Sequence, residues 1–492
     1  MALSDAFALP PAWVPDAVVY QVFPDRFRRA GVTPIASQQR QVAGLQWQPW
    51  GSDPMLQGFQ GGDLWGVIES LDHLQGLGVT CLYLTPIFAS AANHRYHAYD
   101  YLKVDPLLGG DQAFDALLAE LHRRGMRLIL DGVFNHCGRG FWAFHHLLEN
   151  GITSPYRDWF HIHHWPLHPY PRTGESCGYS CWWNDPALPK FNHAHPPVQD
   201  FLLQVGRHWL ERGIDGWRLD VPDEVPSGFW ISFRRMARSV NPEAWIVGEI
   251  WGDAVPWLQG DQFDGVMNYR LGWSSLCWAA AGRLSEAYNN PQYPLEPLDA
   301  DALLAIWTAT QDSCRPEVNA AQLNLLDSHD VPRALHTLKG DAAALRLALL
   351  LLILQPGAPC IYYGTEAGLR GGEEPECREA MPWGQPWPHD LCSAIQAFLQ
   401  LRRRFPILRK GGLCWHPQGR DGLIGLAPGL AVGLNRSRQR VLTLDPQLVS
   451  QASDATLDCE LLSGAAGPSP LTLSPQSAVL LSQGTGGSGC SD

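Results

Sequence analysis

Charge is scarce in this chain. Only 17% of its 492 residues are Asp, Glu, Lys or Arg, and the acidic ones outnumber the basic ones to give a formal net charge of −13. Such a surface repels phosphate backbones and anionic lipid, which excludes nucleic-acid and membrane partners and favours a neutral ligand. Long apolar runs are also missing. The greasiest, residues 347–354, is too short to cross a bilayer and reads as a buried helix. Residues 1–10 have neither a basic start nor a sustained apolar stretch, so no secretory leader is expected and the protein is placed in the cytoplasm. The 12 Cys are scattered, and the one close pair, Cys177 and Cys181, has no second pair at metal spacing; ordinary thiols are expected. There are no internal repeats and no low-complexity domain. What remains is a compact globular composition, 45% hydrophobic, at a length that implies two or three domains.

Short β-branched or Leu-rich runs alternate with helix-length spacers. Eight runs read as strands: 17–23, 79–84, 127–134, 214–219, 245–247, 263–267, 322–326 and 360–363. Amphipathic stretches at 64–77 and 114–124 fit between them. Eight strands separated by helices imply α/β architecture, a parallel (β/α)8 TIM barrel with each strand buried on both faces. Residues 137–192 interrupt this rhythm. Rich in Pro, Gly, Trp and His and without clear periodicity, they are expected to wall a cleft on the face where the strands end. Beyond Phe405-Pro406 the helical pattern stops, and short apolar segments alternate with turns. The expected domains are a barrel over 1–406 with the insertion 137–192, a C-terminal antiparallel β-sandwich over 407–486 and a flexible tail at 487–492.

Four acidic segments carry the chemistry: Asp131-Gly132-Val133-Phe134-Asn135-His136, Gly216-Trp217-Arg218-Leu219-Asp220, Gly248-Glu249-Ile250-Trp251 and Leu326-Asp327-Ser328-His329-Asp330. Each sets a carboxylate where a strand runs out, which is how barrel enzymes assemble acid–base groups. Arg218 and Asp220 are two apart and point to the same side. The guanidinium is expected to keep Asp220 ionised and nucleophilic. Glu249 is followed by apolar Ile250 and Trp251, which favour its protonated form and a general-acid role. Two carboxylates in opposed environments suit glycosidic bond cleavage, with Asp330 as a third that stabilises developing positive charge. His136 and His329 can donate to sugar hydroxyls. Asp131 and Asn135 read as supports, Asp131 by holding Arg218.

On these segments the chain resembles the α-amylase family of glycoside hydrolases, family 13, nearly end to end. The resemblance implies Asp220 as nucleophile, Glu249 as acid/base, Asp330 as transition-state stabiliser and double displacement with retention. Leu188-Pro189-Lys190-Phe191-Asn192 is similar to the Met-Pro-Lys-Leu-Asn segment of neopullulanases, cyclomaltodextrinases and maltogenic amylases. That group also matches Glu374 and Arg378, implied at subsite −2, and the segment His94 to Tyr96, with Tyr96 under the sugar at −1. Trp251 is implied near subsite +1, and Glu224 matches an acidic residue beyond the nucleophile. The substrate implied is an α-glucan cut at α-1,4 and α-1,6 bonds. Passing the same intermediate to a sugar acceptor is the alternative, and a non-catalytic glucan-binding homologue a more distant one.

Three departures qualify the resemblance. About sixteen residues precede the first strand, where the subfamily usually carries an N-terminal β-domain. A more open cleft is therefore expected, and any dimer would not be built through such a domain. The nucleophile is followed by Val221-Pro222-Asp223-Glu224 in place of Val-Ala-Asn-Glu. Finally, the loop after Arg26-Phe27 lacks the Asn/Asp cluster that binds calcium in relatives together with the Gly-Gly-Asp matched by residues 61–63. With six or more oxygens needed for that ion, no metal and no cofactor are expected.

Overall fold

The computed structural model describes residues 7–31, 47–286, 290–451, 456–462 and 471–482. The expected tail, 487–492, lies outside them.

Eight parallel strands close into a barrel: Val19–Val22, Cys81–Leu84, Arg127–Gly132, Gly216–Leu219, Trp245–Gly248, Gly265–Asn268, Leu323–Leu325 and Ala358–Tyr362, the last pairing back with the first. Each lies within or beside the run expected from sequence. Period-two alternation divides their side chains. Val19, Cys81, Tyr83, Ile129, Trp245, Val247, Met267, Leu323, Leu325 and Cys360 fill the interior. Tyr20, Val22, Leu82, Leu84, Leu128 and Leu130 instead pack outward on the helices.

The outer layer includes Gly110–Arg123, Pro196–Glu211, Ser227–Val240, Ala342–Leu354 and His389–Arg404. Ala342–Leu354 contains the apolar run 347–354, and every residue of that run is buried. The stretch expected as one helix at 64–77 breaks into Leu64–Ile68 and Leu71–Leu77, with Asp63 accepting from the amide of Gly66 to cap the first. Between the fifth and sixth strands only a 3-10 turn, Val255–Trp257, stands where a barrel helix would pack.

The insertion is held by aromatic packing and by isolated bridges, among them His136 with Lys190 and Cys181 with Pro189. Contrary to the aperiodic reading, it contains a helix, Trp142–Asn150, that buries Ala143, Phe144 and Leu147. Nine residues hold too few turns for their spacing to stand out among so many aromatics.

After the barrel, Cys414–Pro417, Gly422–Ala427, Leu430–Asn435, Ser477–Ser482 and Thr456–Leu462 form an antiparallel sheet in that spatial order. A second sheet pairs Leu442–Thr443 with Thr472–Leu473. Ile424, Leu426, Val479 and Leu481 of the large sheet share a core with Leu444 and Leu473.

Candidate active site

Strand register decides which groups meet. Asp131 on the third strand is the lateral partner of Arg218 on the fourth, which is the partner of Val247 on the fifth, two residues before Glu249. All three side chains point inward at the carboxyl end of the barrel.

Arg218 is completely buried and is the hub of the site. Its Nη1 donates to Asp131 Oδ1 at 2.8 Å, to Asp131 Oδ2 at 2.9 Å and to Asp220 Oδ1 at 3.0 Å. Its Nη2 lies 2.9 Å from Glu249 Oε2 and 3.8 Å from Asp330 Oδ2. One guanidinium thus faces four carboxyl groups, and Asp220 and Glu249 sit on its two terminal nitrogens. Four buried anions around one cation would leave a large uncompensated charge, so the cluster must hold protons.

Burial drives the directions. It pushes the Asp220 carboxyl well above its usual range, with Glu249, Asp131 and Asp330 adding to the rise and Arg218 opposing it. Glu249 is also raised by burial, against Arg218 and the amide of Val221. Asp330 is pushed up to about 7 by burial and by Glu249. A quarter of its side chain (26%) still opens to the cleft, yet Oδ2 is enclosed and accepts no hydrogen bond from the protein. Asp131 is raised by burial too, but it accepts from Tyr83 Oη at 2.7 Å and Tyr96 Oη at 2.8 Å as well as from Arg218. Those donors make it the best-supported anion of the four.

Two sequence expectations change here. Glu249 is not surrounded by apolar groups alone, because Arg218 reaches it from the neighbouring strand and Trp251 Nε1 donates to its Oε1 at 3.3 Å. Nor does Arg218 favour Asp220 alone, since its charge is divided among four carboxyl groups.

Tyr96 stacks parallel to His329, with centroids 5.4 Å apart and planes 3° apart. Gln21 Nε2 lies 2.8 Å from His329 Nδ1, and an amide nitrogen can only donate. The proton of the imidazole therefore sits on Nε2, which lies 2.5 Å from Tyr96 Oη and 3.2 Å from Asp330 Oδ1. Burial and Arg378 push His329 well below the usual histidine range, so it stays neutral. Burial takes His136 down to about 3, and its Nε2 has no protein partner. Asn135 Nδ2 lies 3.3 Å from His136 Nδ1. His94 Nδ1 accepts from the Tyr96 amide at 3.2 Å.

Arg378 Nε donates to the His329 carbonyl at 3.0 Å, while its Nη1 pairs with Glu374 at 2.5 Å and its Nη2 approaches Asp330 at 3.6 Å. Trp251 stacks on Tyr269 at 3.9 Å. Glu224 is exposed and pairs with Lys190 at 2.6 Å, at the edge of the site away from the Arg218 cluster. The other named residues converge around the carboxyl cluster or its first neighbours.

Sequence reasoning missed Gln21, Tyr83 and Tyr269. A signal existed for each. Gln21 is the one amide side chain in Val19–Val22, Tyr83 falls on an inward position of its strand, and Tyr269 opens the helix that directly follows the sixth strand. The backbone of Val221 was also not foreseen. At φ 35°, ψ 53° this β-branched residue adopts the left-handed region, with its amide aimed at Glu249 Oε2, 3.2 Å away.

Of the loop expected to lack calcium ligands, residues 32–46 lie outside the described residues, and the stretch that follows them is held by guanidinium groups. Arg26 Nη2 donates to the carbonyls of Gly58 and Met55, and Arg29 to those of Gln60 and Gln48. Asp25 accepts from the amides of Gln60 and Gly61. Among the described residues no group of three or more His, Cys, Asp or Glu is arranged to hold a metal ion, and no helix is long and apolar enough to cross a membrane.

The family described as alpha amylase, catalytic domain, matches residues 21–385. A cyclomaltodextrinase of Geobacillus thermopakistaniensis is 41% identical over 408 residues, 82% of this chain and 65% of that protein. Neopullulanase 2 of Thermoactinomyces vulgaris is 39% identical, over 96% of this chain and 79% of its own length. The chain thus spans about two thirds of the length of the cyclomaltodextrinase it matches, 65%. Among solved structures, a debranching enzyme of Nostoc punctiforme soaked with acarbose superposes with a TM-score of 0.85 at 40% identity, covering 97% of this chain and all of that one.

Proposed function

This chain belongs to the α-amylase family of glycoside hydrolases, and on that footing we propose that it hydrolyses α-1,4 and α-1,6 glucosidic bonds of maltodextrins, pullulan or branched glucans with retention of configuration. The observation that carries this reading is the seating of Asp220 and Glu249 on the two ends of one buried guanidinium. They share a face of the barrel, within the compass of one sugar ring.

Asp220 attacks the anomeric carbon and Glu249 protonates the departing glycosidic oxygen. The glycosyl–Asp220 ester is then opened by a water that Glu249 deprotonates. As substrate displaces water from the cleft, Arg218 cannot hold both carboxyls as anions. Catalysis needs the proton on Glu249 and the charge on Asp220, the reverse of what the surroundings favour at rest, where burial pushes Asp220 well up and Glu249 accepts from the Val221 amide and from Trp251. Asp330, a quarter of whose side chain is open, takes sugar hydroxyls and offsets the positive charge that builds on the ring. Tyr96, fixed by Asp131 and His329, lies flat beneath the ring, and Arg378 with Glu374 holds the next one. Trp251 lines the leaving-group side next to Glu249.

Action on α-1,6 bonds draws support from the neopullulanase and the debranching enzyme to which the chain is similar. The test measures linkage and anomer together. Purified protein is incubated with pullulan, amylopectin and amylose, and new reducing ends are followed by proton NMR. Release of α-anomeric ends from pullulan and amylopectin is expected. First-formed β-anomers would overturn retention, and cleavage of amylose alone would confine the activity to α-1,4 bonds. Longer products from concentrated maltotriose would indicate transfer in place of hydrolysis.

A further inference from the structure

The insertion carries an exposed indole at Trp183. Its side chain is 81% exposed, more than any other large hydrophobic among the described residues. An indole so open to water loses apolar burial, and here the backbone is unfavourable as well. Trp183 has φ 49° and the next residue, Asn184, φ 58°, two successive non-glycine residues in the left-handed region.

The turn that carries them is firmly built. The Trp182 amide donates to the Leu188 carbonyl at 3.0 Å, the Leu188 amide to the Asp185 carbonyl at 2.9 Å and the Ala187 amide to Asp185 Oδ1 at 2.8 Å. One face of Trp183 lies on Trp182, with centroids 4.8 Å and planes 15° apart. Trp182 in turn lies on His136, at 5.0 Å and 12°. His136 is buried in the cleft wall beside Asn135, and its bridge partner Lys190 pairs with Glu224. Three parallel rings therefore form a ladder from the catalytic cleft to solvent. The outermost rung turns its free indole face to solvent.

We propose that this face of Trp183 is a binding subsite for a glucosyl ring of the α-glucan chain, outside the ring being cut. The proposal rests on the function given above and extends it toward chain length. Pyranose rings offer an apolar C–H face of matching size, and a ring held rigid by stacking loses little entropy on contact. The acidic surface, with a net charge of −13, disfavours a polyanion as occupant. Continuity with His136 through Trp182 ties the occupant to the same chain that fills the cleft.

The test compares two substrates. In Trp183→Ala, the ratio of kcat/KM for maltoheptaose to that for maltotriose is expected to fall about fivefold, mostly through KM, and Trp183→Phe to restore most of it. An unchanged ratio, or equal losses on both substrates, would overturn the subsite. A second measurement does not depend on turnover. Maltoheptaose titrated into Asp220→Asn by calorimetry is expected to bind about fivefold more tightly than into Asp220→Asn with Trp183→Ala. Equal affinities would refute the subsite even if the protein cut no glucan, whereas a difference without any hydrolysis would refute the enzymatic reading alone.

Discussion

At the scale of single residues, one guanidinium organises the chemistry. Removing one carboxyl from the cluster therefore alters the protonation of the rest, and effects of paired substitutions will not add. Asp220→Asn is expected to lower kcat by several orders of magnitude while glucan binding persists; near-normal turnover would remove Asp220 from the nucleophile role. Asp330 gives a test by stability. Its carboxyl titrates at about 7 in the folded chain, above the 3.8 of a free side chain. The folded state then binds the extra proton between those values, so this group's contribution to stability is present below pH 3.8 and is lost as pH rises through 7. Asp330→Asn is expected to be more stable than the parent, with a gain that grows from pH 4 to 8 to on the order of 1–3 kcal/mol. Urea melts across that range measure it, and a constant difference would show that Asp330 is not held proton-rich by the fold.

At the scale of elements, guanidinium groups fasten the segment that follows the first strand and its short helix. Arg26 and Arg29 donate to four carbonyls that fasten residues 48–60. A chelator is expected to leave melting temperature within about 1 °C of the untreated value, whereas Arg29→Ala is expected to lower it by about 2–4 °C. A large drop with chelator alone would mean that an ion supports the fold. The barrel strands were legible because short apolar runs recur at regular intervals between helix-length spacers, whereas the longer Leu-rich run 347–354 is a helix. The helix Trp142–Asn150 was not, because aromatic packing in the insertion masks a three-residue apolar face. The four acidic segments brought their carboxyls together as read. The surroundings of Glu249 could not be read from its neighbours in sequence, because Arg218 approaches from the adjacent strand. Gln21 fixes the proton of His329 from 308 positions away, a relation only the closed barrel creates.

At the scale of the whole molecule, the C-terminal sheet grips the barrel through polar anchors and apolar packing. Arg436 Nη1 donates to the carbonyls of Trp278 and Leu298, and its guanidinium lies over the Trp278 ring. Arg438 pairs with Asp341, which caps Ala342–Leu354, and Trp415 packs edge-on to Trp307. Heating is expected to give one calorimetric endotherm with equal van't Hoff and calorimetric enthalpies. Two resolved peaks would mean that sheet and barrel fold apart.

Trp278 lies near the end of Tyr269–Ala279, whose first residue is the ring beneath Trp251. The grip on Trp278 and the stack on Trp251 thus sit at opposite ends of one helix. That same helix is wedged against the Leu325 backbone and against Ala342–Leu354, so distal sheet, barrel wall and the ring behind Trp251 are joined in one body.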